Sequence, residues 1–230
     1  MLAQKSSRLR LDMRRFSPTD ELLSAVSRAM ATLADAVPAS RPLPVPAQPS
    51  TDTSAEVPEL GADERRLSGA LMRVNHVGEI CAQALYEGQA ATTPDARLRT
   101  FFKDAAREEA DHLAWTRERL DELGSSPSVL NPLWYAGALA LGMLAGRAGD
   151  KVSLGFMAET ERQVERHLQS HLARLPATDQ RSRAIVDAMK MDEAGHAREA
   201  MSRGGVQLPF PVRWAMKASA RVMTTVAHRI

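Results

Sequence analysis

Apolar residues recur along most of the chain with the spacing of α-helices, and no segment of useful length shows the alternation of a β-strand. One helix is expected over residues 20–36. The helices expected after it span about residues 63–91, 94–124, 132–146, 150–175 and 178–204, followed by an amphipathic stretch after residue 211. Four long helices joined by short loops predict an all-α antiparallel four-helix bundle, with an additional short apolar helix and a C-terminal amphipathic helix.

Residues 38–60 interrupt the helical pattern. They are rich in Pro, Ser and Thr and have no periodicity, which is typical of a linker. We therefore expect an N-terminal segment over residues 1–37 with room for one helix, a linker over 38–60, and a helical bundle domain over 61–230.

Composition agrees with a helical globular protein. Hydrophobic residues make up 44% of the chain, charged residues 25% and aromatic residues 4%, which excludes a disordered chain, a collagen and a multi-span membrane protein. The single cysteine, Cys81, excludes an intramolecular disulfide framework and a thiolate zinc site. We expect it to be a small core residue.

Positive charge is concentrated at the C-terminal end. The whole chain carries a formal charge of +2, but residues 197–230 contain six Lys or Arg against one Glu. A cationic amphipathic tail favours binding to an anionic lipid surface. A solvated basic face explains the same pattern equally well.

Carboxylates lie in the middle of the apolar stripes of three predicted helices. Glu109 and His112 share one stripe, Glu161 lies on the next, and Glu193 and His196 lie on a third. An unpaired buried carboxylate costs several kcal/mol. Something must therefore neutralise these acids.

Helical geometry separates these acids from their neighbours. Glu108 lies about 100° around the helix from Glu109, and Glu159 about 160° from Glu161, so we expect Glu108 and Glu159 to point elsewhere. Glu79 falls about 120° from the centre of its own apolar stripe, so periodicity alone does not select it.

A repeated spacing does select Glu79. It precedes the Glu-x-x-His motif at Glu109 by 30 residues, and Glu161 precedes the second such motif, at Glu193, by 32. With a turn near the midpoint of each interval, each half of the bundle returns to the same height and contributes three ligands to one level. Two facing halves would give four carboxylates and two imidazoles around one cavity.

This set of side chains favours two divalent metal ions. Glu on two helices and Glu-x-x-His on two others is the pattern of di-iron and di-manganese carboxylate bundles, and four carboxylates balance the charge of two divalent ions. The imidazoles disfavour calcium, and the lack of sulfur disfavours structural zinc. The six candidate metal ligands are Glu79, Glu109, His112, Glu161, Glu193 and His196. The competing interpretation is a bundle with hydrogen-bonded core histidines and surface glutamates.

Four nearby residues are weaker candidates. His76 and His167 lie within two turns of the predicted ligands and could support them, although ordinary surface histidines are the simpler interpretation. Asp111 and Asp192 flank the two Glu-x-x-His motifs and could orient a histidine.

Several motifs resemble the demethoxyubiquinone hydroxylase family of ubiquinone biosynthesis. They are RVNHVGE at residues 73–79, EEADHL at 108–113 and DEAGH at 192–196. SVLNPLW at 128–134 and DKVSLGF at 150–156 are similar to the bacterial branch of this family. The resemblance covers about residues 62–230.

The resemblance implies a ferritin-like di-iron monooxygenase that hydroxylates the ring of a polyprenyl methoxy-methyl-benzoquinol. It implies two Fe ions, O₂ as co-substrate and an external or substrate-derived reductant. Carried over by position, one iron would take Glu79, Glu109 and His112, and the other would take Glu161, Glu193 and His196, with Glu109 and Glu193 bridging. His167 matches a histidine that the family keeps near the metals.

The resemblance also implies a peripheral protein on the cytoplasmic face of the inner membrane. Its expected partners are the polyprenyl quinol, the membrane surface and a complex of ubiquinone-biosynthesis proteins, with no nucleic acid. The apolar residues 132–146 and the last helix could line an access route for an apolar substrate tail, or simply pack in the bundle. The alternatives are another di-metal ferritin-like protein, such as a manganese catalase or peroxidase, an iron-storage protein, and a purely structural bundle.

Overall fold

The computed structural model describes residues 18–46 and 59–230, which contain α-helices and no β-strand. The helices are α1 (Pro18–Leu33), α2 (Ala62–Thr92), α3 (Ala96–Glu122), α4 (Asn131–Arg147), α5 (Asp150–Arg174), α6 (Gln180–Ser202) and α7 (Phe210–Ala227). The predicted all-α class is confirmed. Expectations for residues 1–17 and 47–58 lie outside the described residues.

Two helix ends follow the signals that the sequence carries. The carboxylate of Asp179 accepts a hydrogen bond from the backbone N–H of Ser182 at 3.0 Å and so caps α6. Gly124, just after α3, has φ +63°, a left-handed conformation that favours glycine. Gly124 thus marks the end of α3, and Asp179 marks the start of α6.

The four long helices α2, α3, α5 and α6 form the bundle, and its interior consists of two apolar clusters with a polar layer between them. The first apolar cluster includes Tyr86, Phe102 and Met157. The second includes Leu71, Leu120 and Ile185. Along each of the four helices, residues of one cluster precede the polar layer and residues of the other follow it. The polar layer is therefore closed off from water at both ends by close-packed side chains.

Helix α4 packs along the outer side of α2 at a distance that requires glycine. A Cβ atom at Gly88 would overlap the backbone of Leu139 and Met143, and one at Gly142 would overlap the carbonyl group of Leu85. This close approach covers the side of α2 that faces away from the bundle. As a result α2 is buried on nearly all sides over its middle turns.

We expect Gly142→Ala to lower the free energy of unfolding by about 1–3 kcal/mol, because the added methyl group must separate α4 from α2. Gly137→Ala in the same helix is the matched control, since a Cβ there has no atom within 4 Å. That control should be neutral or stabilising, as alanine favours the helix. Chemical denaturation of both variants measures the difference. Equal stability of the two variants would contradict the proposed packing constraint.

The described part of the N-terminal segment, residues 18–37, rests on α2 and α3 of the bundle. Thr32 Oγ1 of α1 donates a hydrogen bond to Gln83 Oε1 at 2.7 Å, in a buried contact. Just after α1, the carboxylate of Asp35 lies 2.9 Å from Nε2 of His76 and 2.8 Å from Nη1 of Arg117. These contacts hold the segment against the bundle at the height of the polar layer.

Among residues 18–46 and 59–230, no helix has both the length and the apolar character that crossing a bilayer requires.

Candidate metal centre

The polar layer contains all six side chains that the sequence selects as metal ligands. They are Glu79 from α2, Glu109 and His112 from α3, Glu161 from α5, and Glu193 and His196 from α6. Five of them are at most 2% exposed, and His196 is 8% exposed. The fold therefore brings residues from four helices together in a dry interior.

These six side chains form two overlapping groups of four. In each group, one ligand atom per residue lies within 4.8 Å of the others. The first group is Glu79, Glu109, His112 and Glu193, and the second is Glu109, Glu161, Glu193 and His196. Glu109 and Glu193 belong to both groups. Their carboxylates thus lie between two candidate ion positions.

Both imidazoles direct Nδ1 toward the carboxylates. Nδ1 of His112 lies 2.9 Å from Glu109 Oε2, 3.3 Å from Glu193 Oε1 and 3.5 Å from Glu79 Oε2. Nδ1 of His196 lies 3.2 Å from Glu109 Oε1 and 3.3 Å from Glu193 Oε2. Nδ1 is therefore the nitrogen that each ring would offer to an ion.

The outer nitrogen of each imidazole meets a carboxylate from the opposite helix. Nε2 of His112 lies 2.9 Å from Asp192 Oδ2, and Nε2 of His196 lies 2.9 Å from Glu108 Oε2. Each of these acids directly precedes a shared glutamate, so the two halves of the site repeat the same arrangement. Such contacts fix the tautomer and orientation of a histidine ligand.

These outer contacts correct one expectation and strengthen another. Glu108 does lie outside the two ligand groups, but the expectation that it points elsewhere is wrong, because it holds His196. Asp192, a weaker candidate from the sequence for orienting a histidine, does contact His112. Glu159 lies outside the groups, as expected, and accepts a hydrogen bond from Gln163 at 2.9 Å.

Burial makes two of the acids hard to ionise. Removal from water raises the pKa of Glu79 well above its usual value, with the charges of Glu109 and Glu193 acting in the same direction. Burial likewise raises the pKa of Glu161, with the charge of Glu193 adding to the effect. In the metal-free protein, both carboxyl groups are thus shifted toward the protonated form.

The pKa values of His112 and His196 shift in the opposite direction from those of ordinary buried imidazoles. Burial favours a neutral ring, but contacts with Asp192, Glu109, Glu193 and Glu79 outweigh it and raise the pKa of His112. Contacts with Glu108, Glu109 and Glu193 raise the pKa of His196 in the same way. Burial opposes ionisation of Glu109, yet the two imidazoles lower its pKa. Protons on the imidazoles thus compensate part of the negative charge of the cluster.

Unpaired oxygen atoms indicate that the cluster suits a cation better than protons alone. Glu161 Oε1 is buried and has no hydrogen-bond partner among the described residues. Glu109 Oε1 also accepts no well-aligned hydrogen bond from the described part of the chain, although His196 Nδ1 is 3.2 Å away. Buried polar atoms without partners are costly. Four carboxylates and two imidazoles are a suitable donor set for two transition-metal ions.

The remaining candidates do not belong to the ligand groups. His76 is fully buried rather than a surface residue and pairs with Asp35. The ring of His167 lies 4.0 Å from that of His171, away from the two groups. Burial raises the pKa of Cys81 to about 12, and Cys81 belongs to neither of the two ligand groups.

Comparison with known proteins gives consistent matches over most of the chain. The chain is 61% identical to the 3-demethoxyubiquinol 3-hydroxylase of Polaromonas sp. (strain JS666 / ATCC BAA-500) over 209 residues, which are 91% of this chain and 97% of that protein. It is 58% identical to the protein of the same name from Variovorax paradoxus (strain S110) over 214 residues, 93% of this chain and 99% of the relative. A third, from Paraburkholderia xenovorans (strain LB400), is 56% identical over 211 residues, 92% and 99% of the two chains.

The family comparison covers all six candidate ligands. The family model described as "Ubiquinone biosynthesis protein COQ7" matches residues 66–227, a stretch that runs from α2 to the end of α7. The buried Glu and His cluster is compatible with a metal centre in such a protein. The chain therefore belongs to the COQ7 family of ubiquinone biosynthesis proteins.

Proposed function

We propose that this protein is a 3-demethoxyubiquinol 3-hydroxylase that works with a di-iron centre and O₂. It hydroxylates the ring of a polyprenyl methoxy-methyl-benzoquinol in ubiquinone biosynthesis. The names of the relatives support the reaction, and their similarity extends over nearly the whole chain. The observation that carries the proposal is the pair of overlapping ligand groups that share Glu109 and Glu193.

Each ion would have its own glutamate and histidine and would share the two central glutamates. Glu79 and His112 would bind one iron, Glu161 and His196 the other, and Glu109 and Glu193 both. When bound, the two irons would supply reductive activation of O₂, in which one oxygen atom enters the ring and the other leaves as water, with two electrons from the quinol or a separate donor.

The protein's own contribution is charge, orientation and exclusion of water. Four carboxylates would neutralise two divalent ions in a medium where isolated charge is costly. Asp192 and Glu108 accept the outer N–H of His112 and His196 and so aim Nδ1 inward. The two apolar clusters, at either end of the layer, keep bulk water from the ions.

A peripheral position on the cytoplasmic face of the membrane would give the centre access to an apolar quinol. Phe210 and Trp214 lie one turn apart on α7 and are 70% and 63% exposed. Lys217 and Arg221 continue the same face of the helix. Exposed aromatic side chains next to basic ones suit an interface with anionic lipid. Association with other enzymes of the pathway would follow from the same position.

We expect Phe210→Ser with Trp214→Ser to reduce binding to vesicles of anionic phospholipid by at least about tenfold, because two exposed aromatic anchors are lost. Met191→Ser on α6 is the matched control, since Met191 is 66% exposed and lies on another helix. Co-sedimentation with vesicles compares the variants. Binding that is unchanged in the double variant would contradict the proposed membrane face.

The decisive test of the proposed function combines metal analysis with an assay. The purified protein should contain two Fe per chain and convert a demethoxyubiquinol analogue to its hydroxylated product in the presence of O₂ and a reductant. Rapid disproportionation of hydrogen peroxide without any dependence on quinol would instead support a catalase. A large hollow particle that accumulates iron would support storage.

A further inference from the structure

The segment that follows α1 crosses the edge of the candidate metal centre. Asp111, directly before His112, is 2% exposed, and its carboxylate accepts hydrogen bonds from this segment. Oδ1 accepts from the backbone N–H of Ser40 at 2.5 Å and of Arg41 at 3.3 Å, and Oδ2 accepts from Arg41 Nε at 2.7 Å. Asp111 therefore holds residues 40 and 41 rather than a histidine.

The same arginine reaches a second carboxylate. Arg41 Nη2 donates to Asp192 Oδ2 at 2.8 Å, and this oxygen also lies 2.9 Å from Nε2 of His112. The guanidinium group lies over the ring of Trp115, 4.7 Å from its centroid, and Trp115 Nε1 donates to the backbone carbonyl of Arg41 at 3.3 Å. The planar guanidinium group of Arg41 is thus held in place by Asp111, Asp192 and Trp115.

On the other half of the centre, the equivalent contact is the one between Glu108 and His196, and among the described residues it has no arginine beside it that plays the part of Arg41. Glu108, which meets Nε2 of His196, has a side chain 60% exposed, compared with 30% for Asp192. Within the described residues no arginine forms an ion pair with Glu108, whereas Arg41 pairs with Asp192. The two halves repeat the inner ligands but differ in what holds the outer carboxylate.

We propose that Arg41 is a positioning residue for the metal ion that His112 would bind, and that it acts by fixing the carboxylate of Asp192. A fixed Asp192 keeps the outer N–H of His112 engaged and its Nδ1 directed at Glu79, Glu109 and Glu193. The ion next to His196 would be held through Glu108, which forms no ion pair with Arg41 among the described residues. This inference rests on the proposed metal-binding function of the cluster.

The test is a titration of the full-length, metal-free protein with Co²⁺, followed by its visible absorption. Arg41→Gln should weaken one of the two Co²⁺ sites by about tenfold or more and alter the absorption of that ion, because supporting contacts of histidine ligands have effects of this size. The other site should keep its affinity. Arg41→Lys should recover only part of the loss. Lysine keeps the charge, but it lacks the planar group that donates to Asp111 and Asp192 at the same time.

Arg28→Gln is the matched control. Arg28 also ties the N-terminal segment to the bundle, through Glu87 at 3.2 Å, but it contacts none of the six ligands. It should leave both Co²⁺ sites unchanged. A second control tests whether Arg41 acts through Asp192. In an Asp192→Asn background, Arg41→Gln should cause little further loss of Co²⁺ affinity.

Three outcomes would overturn the inference while leaving the proposed function in place. They are normal binding of both ions by Arg41→Gln, equal weakening of both sites, and an undiminished effect of Arg41→Gln in the Asp192→Asn background. Failure of the unaltered protein to bind two ions would instead contradict the proposed function and this inference with it.

Discussion

Replacing Glu109 or Glu193 with alanine is expected to abolish binding of both metal ions and hydroxylation together. Each of these glutamates belongs to both ligand groups, so its loss removes a ligand and a negative charge from two ion positions at once. Glu79 and Glu161 belong to one group each. Their alanine variants should therefore retain one ion per chain and still lose activity. Elemental analysis and the hydroxylation assay measure the two effects.

Glu159→Ala is the matched control for these variants. Glu159 is a buried glutamate of α5, 6% exposed and two residues from Glu161, but its carboxylate pairs with Gln163 outside the ligand groups. It should retain two ions. Glutamine replacements of Glu109 and Glu193 keep the side-chain volume and should give the same loss as alanine, which separates ligation from packing. Full metal content and activity in any Glu109 or Glu193 variant would refute the proposed centre.

Most of the metal cluster could be predicted from the sequence because its residues break the helical pattern. Carboxylates on an apolar stripe are unfavourable unless they are compensated, so Glu109, Glu161 and Glu193 stand out in a single sequence. The two histidines follow from the i, i+3 spacing. Both inferences use only the geometry of one helix, which the sequence determines directly.

The position of carboxylates on apolar stripes does not identify Glu79 as a ligand. Its helix carries α4 on the side opposite the bundle core, and the backbones meet at Gly88 and Gly142. A helix that is covered on both sides has no solvent-facing side, so its apolar residues do not mark one direction. Only the repeated spacing of the two halves selected Glu79, and its 2% exposure agrees with that choice.

The outer contacts could not be derived from helical periodicity. Glu108 lies beside the apolar stripe of α3, and its contact with His196 depends on how α3 and α6 pack against each other. Arg41 lies in an irregular segment 70 residues from Asp111 and 151 residues from Asp192, with no periodic pattern to connect them. Such contacts depend on the path of the chain between elements, which local propensities do not specify.

Metal binding is expected to release protons and to weaken as the pH falls. In the metal-free protein the pKa values of Glu79, Glu161, His112 and His196 are all raised, the first two chiefly by burial and the histidines by neighbouring carboxylates despite burial. A metal ion needs the deprotonated form of each ligand. Loading both ions should therefore displace protons at neutral pH, at most one from each of these four side chains.

The sign and size of the pH effect follow from this displacement. Because the metal-free state binds more protons than the loaded state, a lower pH favours the metal-free state, and each displaced proton changes the overall binding constant by about tenfold per pH unit. Calorimetric titration with Co²⁺ at two pH values, in buffers with different heats of ionisation, counts the protons. Glu161→Gln should reduce the count, since an amide has no proton to release and the ion in the group of Glu161 is no longer bound, while Glu159→Gln should not. Affinity that is independent of pH would show that these side chains are already deprotonated or do not bind the ions.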